Sequence, residues 1–465
     1  MSAMSADPSS YRDPSGHVHI EQNRVFRTVT PFGSEEYRAV RDSGALSSLV
    51  QRRMLVEAQE IKDAPLRGIG KDDLVLEHPR LPIISYPYEW PFEALKAAAL
   101  LHLDIQLELL DKNIALSDAS AFNIQFQGGK PVFIDYLSFR RYRKNEIWLA
   151  HRQFCEQFLN PLVLEAVLGV PFQAWYRGQP EGIPAREVAK VLKFRHKLSP
   201  VILSHVVLHA RLQEKTDDAL AETAGESKKR GLPKPRFRAI LLQLRRYIEK
   251  LTSRAAKDTA WVNYATENTY ESDESAAKLR FVERFVGKVR PTLLVDLGCN
   301  TGTYSATAIA SGAELVVGLD NDHGALHSAF ALAREQQLNF LPLYQDLANP
   351  TPALGWNEAE RPGLGERLAG ANGVLALAFV HHLAIARNIP LVQIVEKICH
   401  LAREGVIEFI PKDDPTIQKM LLLRDDVFSG YTVERFTNAL AENAEIIERQ
   451  VISSSGRELF HFRRR

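Results

Sequence analysis

Val295-Asp296-Leu297-Gly298-Cys299-Asn300-Thr301-Gly302-Thr303-Tyr304-Ser305 is the stretch on which the reading of the second half of the chain turns. An apolar run leads into an acid, a glycine-bearing turn and a helix start. Gly298 and Gly302 let the backbone turn sharply and let a ligand approach it. The free N–H groups of the following helix point back into the crevice so formed. Outward from this turn, Thr292–Leu297, Leu315–Leu319, Phe340–Tyr344, Val374–Ala378 and Gly405–Ile410 are short runs rich in Val, Ile and Leu. Helical patterning separates several of them, as at Ala325–Glu335 and Leu391–Ala402. The alternation predicts an α/β domain over residues 281–465, a Rossmann-like, doubly wound, mostly parallel sheet with helices on both faces. Ligands in such sheets lie outside the carboxyl ends of the strands, so the residues after each strand carry the chemistry.

After the second strand stand Asp320 and Asn321, and an acid there can accept hydrogen bonds from both ribose hydroxyls of a nucleoside. The third strand leads to Asp346-Leu347, where a carboxylate can accept from an adenine amino group. The fourth ends at His381-His382. A His at that place can take the proton of a hydroxyl that attacks a methyl carbon. It can equally cap the strand end through backbone hydrogen bonds, and the sequence leaves both open. Glu408, Lys412, Asp413 and Asp414 around the fifth strand end are placed to meet an acceptor or to pair among themselves.

This segment resembles the class I S-adenosylmethionine-dependent methyltransferases. Their first motif, acid-x-Gly-x-Gly-x-Gly, is matched by Asp296, Gly298 and Gly302, with Asn300 in place of the middle glycine; Asn also tolerates left-handed backbone. The Gly-x-Gly-x-x-Gly of dehydrogenases is missing, because residues 300 and 303 are Asn and Thr. The resemblance implies S-adenosylmethionine as cofactor, held by Asp296, Gly298, Cys299, Asn300 and Gly302, by Asp320 and Asn321 at the ribose, and by Asp346 and Leu347 at the adenine. It also implies a lid upstream of the sheet, from which Tyr270 and Lys278 touch the donor. His381 or His382 is the catalytic candidate. The run Glu408–Asp414 with Arg424–Phe428 and Tyr431-Thr432 is similar to a narrower bacterial group, the nodulation-associated methyltransferases, and the likeness extends over most of the chain. It implies oxygen of a glycan or small metabolite as the methyl acceptor.

In the first half, a helix is readable from Phe92 to Leu110, followed by Asp118, Asn123, two alternating segments around Gly128-Gly129, and Asp135. If Gln127 pairs with Lys130 across a two-residue hairpin, Asn123 lies opposite Ile134 and Asp135 sits one step beyond. Oxygen ligands gathered at that open end suit Mg²⁺. Asp-x-x-x-x-Asn, a hairpin and a further Asp resemble the catalytic loop of the protein-kinase superfamily, in its aminoglycoside phosphotransferase branch. That resemblance implies an α+β kinase-like domain over residues 21–212, with Asp118 as base and Asn123 and Asp135 binding Mg²⁺ beside ATP. His-Arg before Asp118, a Gly-rich loop and a Val-Ala-Ile-Lys strand are all missing; Arg24 or Arg27 would have to replace the lysine. The favoured reading is a kinase-like domain with a structural, acceptor-binding or partner-binding role. A bifunctional kinase and methyltransferase is the alternative.

The 465 residues exceed one ordinary domain. Residues 1–20 read as a disordered tail, 213–236 as a charged, proline-bearing linker, and 237–280 as a helical connector and lid. Lys plus Arg is 58 against 57 for Asp plus Glu, a net charge of +1. Such balance gives no electrostatic footprint for nucleic acid or an anionic membrane. No apolar run has the length of a membrane span, and the first residues lack the apolar core of a signal peptide. Cys155, Cys299 and Cys399 are scattered, make no metal-ligand pattern and suit a reducing compartment; the expected location is the cytoplasm.

Overall fold

In the computed structural model, which describes residues 6–66, 68–213, 231–255, 272–422 and 425–465, the chain divides into two compact units. Unit one comprises residues up to 126, 130–255 and 353–361; unit two comprises 127–129, 256–352 and 362–465, each within the described residues.

In unit one, β1 (Val18–Glu21), β2 (Arg24–Val29), β3 (Gln59–Ile61) and β4 (Leu74–His78) form an antiparallel sheet of order β1-β2-β4-β3. The helix Phe92–Asp111 buries Leu95, Ala99, Leu103 and Leu110 on different sides, as its all-round apolar sequence requires. Then β5 (Ile114–Leu116) pairs with β8 (Phe139–Arg141), and β6 (Ile124–Gln127) with β7 (Lys130–Phe133).

Two sequence-based boundaries need correction. The expected disordered tail is ordered from residue 6: Asp7 caps a turn at Pro8–Ser10, and Val18 begins β1. Its polar residues serve as caps and as an edge strand. The helix Lys234–Lys250, expected as part of a connector, belongs to unit one. Its stripe of Phe237, Leu241, Leu244 and Ile248 is buried, and Arg245 and Arg238 pair with Asp104 and Asp111 of Phe92–Asp111 at 2.6 and 2.9 Å. An apolar stripe of that kind needs a partner face. Residues 1–5 of the tail, 214–230 of the linker and the lid residues 256–271, with Tyr270 among them, lie outside the described residues.

Unit two holds β9 (Leu294–Leu297), β10 (Val316–Asp320), β11 (Phe340–Tyr344), β12 (Gly373–Ala376), β13 (Glu404–Phe409), β14 (Ala444–Val451) and β15 (Glu458–Arg464). The sheet order is β11-β10-β9-β12-β13-β15-β14, parallel from β11 to β13 and antiparallel beyond. All five expected runs are strands, displaced by no more than a residue or two, and they read as near-continuous apolar runs because both faces are covered. Phe281 and Phe285 of the helix Ser272–Val289 pack with Leu294, Val316, Phe340 and Val406 in the core. The chain winds from β9 to β11 on one side, then returns to β12 on the other. That reversal between β9 and β12 opens a crevice at the strand ends. Among the described residues no helix is long and apolar enough to cross a membrane.

Candidate active site

The turn after β9 is left-handed at three places, Gly298 (φ +73°), Asn300 (φ +49°) and Gly302 (φ +88°). Asn300 takes the conformation expected of a glycine substitute. Gly302 is required twice over, since a Cβ there would lie 2.6 Å from Phe340 Cε1. The N–H groups of Gly298 and Cys299 both donate to the Leu319 carbonyl. Asp320 completes the knot: its Oδ2 accepts from the Asn300 N–H at 2.8 Å and its Oδ1 from the Asp322 N–H at 2.9 Å. Burial raises the Asp320 carboxyl above its ordinary value, against these N–H donors, which lower it. The Asn321 N–H bonds the same carboxylate, which still keeps acceptor capacity for a ligand hydroxyl.

The other expected cofactor residues divide. Asp296 lies beneath the turn, accepting from Ser305 Oγ at 2.7 Å, and burial followed by repulsion from Asp320 pushes it up to about 7. It anchors the helix Thr303–Ala310. Cys299 is buried in the core cluster. Asn321 is exposed and Leu347 half-buried. Asp346 accepts from the Ala348 N–H at 3.0 Å through one oxygen and pairs with Arg387 at 3.1 Å through the other.

At the ends of β12 and β13 lies a denser constellation. Lys278 Nζ and Glu408 Oε2 form an ion pair at 2.8 Å with exposures of 1% and 0%, so both are removed from solvent screening. The Ala378 N–H donates to the same Oε2 at 2.7 Å, while Oε1 has no hydrogen-bond partner among the described residues. Burial lowers the Lys278 ammonium, against the Glu408 charge. His381 is buried with Nε2 unpartnered among the described residues, and its ring lies 4.1 Å from that of His382. Burial, then His382, Arg457 and Lys278, drive His381 well below the ordinary imidazole range, and burial pushes His382 to about 4. Both rings are neutral at pH 7, able to accept a proton but weakly basic. The segment His382–Ala386 is a π-helical turn, a form frequent at functional sites.

Sequence reasoning placed Lys278 against the donor and missed its pairing with Glu408. It also missed Arg457, buried and bidentate on Asp414 at 2.6 and 2.9 Å. A signal existed for the first pair: Glu408 interrupts an apolar strand, and Lys278 stands three residues before buried Phe281.

In unit one, Asp118, Asn123 and Asp135 do gather. Ile134 N–H donates to the Asn123 carbonyl at 2.9 Å, the pairing the hairpin predicts. Asn123 Nδ2 donates to Asp118 at 3.0 Å and to Asp135 at 3.5 Å, and Ser138 Oγ donates to Asp135 at 2.6 Å. Arg27 pairs with Asp135 at 3.2 Å and also with Asp13. Burial, then the charge of Asp135, pushes Asp118 up to about 6. Both Asp135 oxygens are taken by internal donors, Arg27 and the Leu137 N–H on Oδ1 and Ser138 and Asn123 on Oδ2, which fits Mg²⁺ poorly on that side, while Asp118 Oδ1 has no hydrogen-bond partner among the described residues.

No protein-family model matches the chain. The nodulation protein NoeA of Rhizobium meliloti (strain 1021) is 43% identical over 457 residues, covering 98% of this chain and 95% of that protein. Among solved structures, the magnesium protoporphyrin IX methyltransferase ChlM of Synechocystis PCC 6803 with bound SAH aligns at a TM-score of 0.32 and 18% identity, over 44% of this chain and 93% of its own. The N-methyltransferase NodS of Bradyrhizobium japonicum WM9 aligns at 0.31 and 12%, over 42% of this chain and 98% of its own. With 43% identity along nearly the whole of both chains, this chain belongs to the family of the nodulation protein NoeA.

Proposed function

We propose that this protein is an S-adenosylmethionine-dependent methyltransferase whose donor occupies the crevice between β9 and β12. The observation that carries the reading is the left-handed turn at 298, 300 and 302, tied by Asp320 from the neighbouring strand end. The donor brings its methyl group already activated as a sulfonium; the chain's part is binding, alignment and proton removal. Asp320 accepts from the ribose, with Asn321 beside it, and Asp346 and Leu347 border the adenine. Lys278 holds Glu408 against the end of β12, which leaves Oε1 as an acceptor for the donor's ammonium group. His381, neutral and with Nε2 open, orients the acceptor hydroxyl and receives its proton. Oxygen of a glycan or small metabolite is the acceptor class; the resemblance to nodulation-associated enzymes and the absence of a basic balance for a polyanion support it.

Calorimetric titration with S-adenosylhomocysteine tests the reading. Micromolar binding by the wild type, weakened at least tenfold in Asp320→Ala and less in Asp320→Asn, is expected. No binding by the folded wild-type chain would sink it.

Unit one takes a non-catalytic role, binding an acceptor or partner, and the Arg27–Asp135 pair supports that over phosphoryl transfer. The whole chain with Mg²⁺ and ATP is expected to consume no ATP above background. Consumption abolished by Asp135→Ala would make the protein a bifunctional kinase and methyltransferase instead.

A further inference from the structure

Three further side chains of unit one converge. His151 Nε2 lies 2.8 Å from His205 Nδ1 and 3.5 Å from Cys155 Sγ, and the three donor atoms all fall within 4.8 Å of one another. Cys155 and His205 are buried, and His151 is half-buried. The sequence supplies them as two pairs, His151-x-x-x-Cys155 and His205-x-x-x-His209, each at the spacing that puts two side chains on one helix face. The ring of His209 stands edge-on to that of His151 at 5.4 Å. The spacing of the three cysteines gives no sign of this set, because only one cysteine belongs to it.

We propose that His151, Cys155 and His205 form a binding site for a divalent transition metal of the Zn²⁺ class, with His209 as the nearest fourth ligand. One thiolate with two or three imidazoles is a donor set such ions take, in tetrahedral geometry. The helical geometry departs from regular at both ligand-bearing segments. Cys155–Leu159 and Leu203–Val207 are π-helical, a form that costs regular hydrogen bonding and recurs at functional sites. Trp148 stands edge-on to His151 at 5.3 Å, with Phe154 behind it against Trp148, an apolar flank of the kind that strengthens such a site.

Ligand bonds of about 2.0–2.3 Å set tetrahedral donors roughly 3.3–3.8 Å apart. Metal entry therefore needs the His151–His205 contact to open by about half an ångström. On binding, the Cys155 Sγ–H bond breaks and its proton goes to solvent, while the thiolate bonds the metal. The hydrogen bond between the two imidazoles gives way to two N–metal bonds, and each ring carries its proton on its other nitrogen. No oxidant or reductant is involved. The metal would pin the helical run beginning at His151 to the one beginning at Pro200.

The test uses the full chain, stripped with a chelator and dialysed, then titrated with Co²⁺ and, separately, Zn²⁺. One equivalent of Co²⁺ should give tetrahedral d–d bands with a thiolate-to-metal charge-transfer band, and Zn²⁺ should displace it and raise Tm. Cys155→Ser should remove the charge-transfer band, and His205→Gln should weaken binding at least tenfold. His209→Gln, at a half-buried position, should weaken binding less; it also serves if either inner variant misfolds. Absence of a Co²⁺ spectrum together with an unchanged Tm in Zn²⁺ would overturn the proposal, as would a charge-transfer band that survives in folded Cys155→Ser.

Discussion

Each unit contains a carboxylate held by a cation, and the two differ in how their partners are distributed. Asp135 uses both oxygens, Oδ1 for Arg27 and the Leu137 N–H, Oδ2 for Ser138 and Asn123. Glu408 takes both Lys278 and the Ala378 N–H on Oε2 and leaves Oε1 without a partner among the described residues. The Asp135 carboxylate is closed, although its neighbour Asp118 keeps one buried oxygen without a partner among the described residues; Glu408 is a fixed, buried acceptor with spare lone pairs. Residue types alone do not separate a site from a scaffold; which lone pairs are already filled does.

Lys278→Met should break this comparison most severely. It leaves the Glu408 charge buried and unpaired, at a cost of about 3–5 kcal/mol, read by urea unfolding. Lys278→Met with Glu408→Gln should recover most of that loss; a double variant as unstable as the single one would show that packing, not charge pairing, sets the effect.

Next comes the donor side. Asp320→Ala removes charge-assisted hydrogen bonds worth about 1.5–3 kcal/mol in all, so S-adenosylhomocysteine should bind roughly ten- to a hundredfold more weakly by calorimetry. Equal affinity would leave Asp320 as a tie for the turn and nothing more.

The pair of Asp118 and Asp135 gives a smaller, pH-dependent effect. Asp118 titrates higher folded than unfolded, near 6 against 3.8. Its contribution to stability is therefore complete below about pH 4 and is lost as pH rises through about 6. Asp118→Asn should remove that dependence and stabilise the chain at pH 7 by on the order of 1–2 kcal/mol. Stability measured at pH 4 and at pH 7 checks it, and a destabilised variant at pH 7 would point to a bound cation. The smallest change is expected from Arg387→Ala. Its pair with Asp346 is half exposed, worth under about 1 kcal/mol, and donor affinity should move less than threefold.

The strands of the parallel sheet were legible because residues covered on both faces must be apolar. Asn300 was legible as a left-handed position because few residues but Asn stand in for Gly there. Asp320 was legible as a strand-end acid, but not its bonds to the Asn300 and Asp322 N–H groups. The helix Lys234–Lys250 showed its stripe plainly, yet nothing local says which unit that stripe covers. Likewise Arg27 was one of two arginines on β2, and only the fold pairs it with Asp135.

The sequence by itself determined the strand–turn–helix around Gly298, the hairpin after Asn123 and the helix periods. Those depend on backbone sterics and on spacing between near neighbours. Only the tertiary structure decided that Lys278 meets Glu408, that Asp135 is closed by Arg27, and that His205 reaches His151. Pairs so far apart in sequence come within about 3 Å only when the packed core sets both ends, and no local rule specifies that distance.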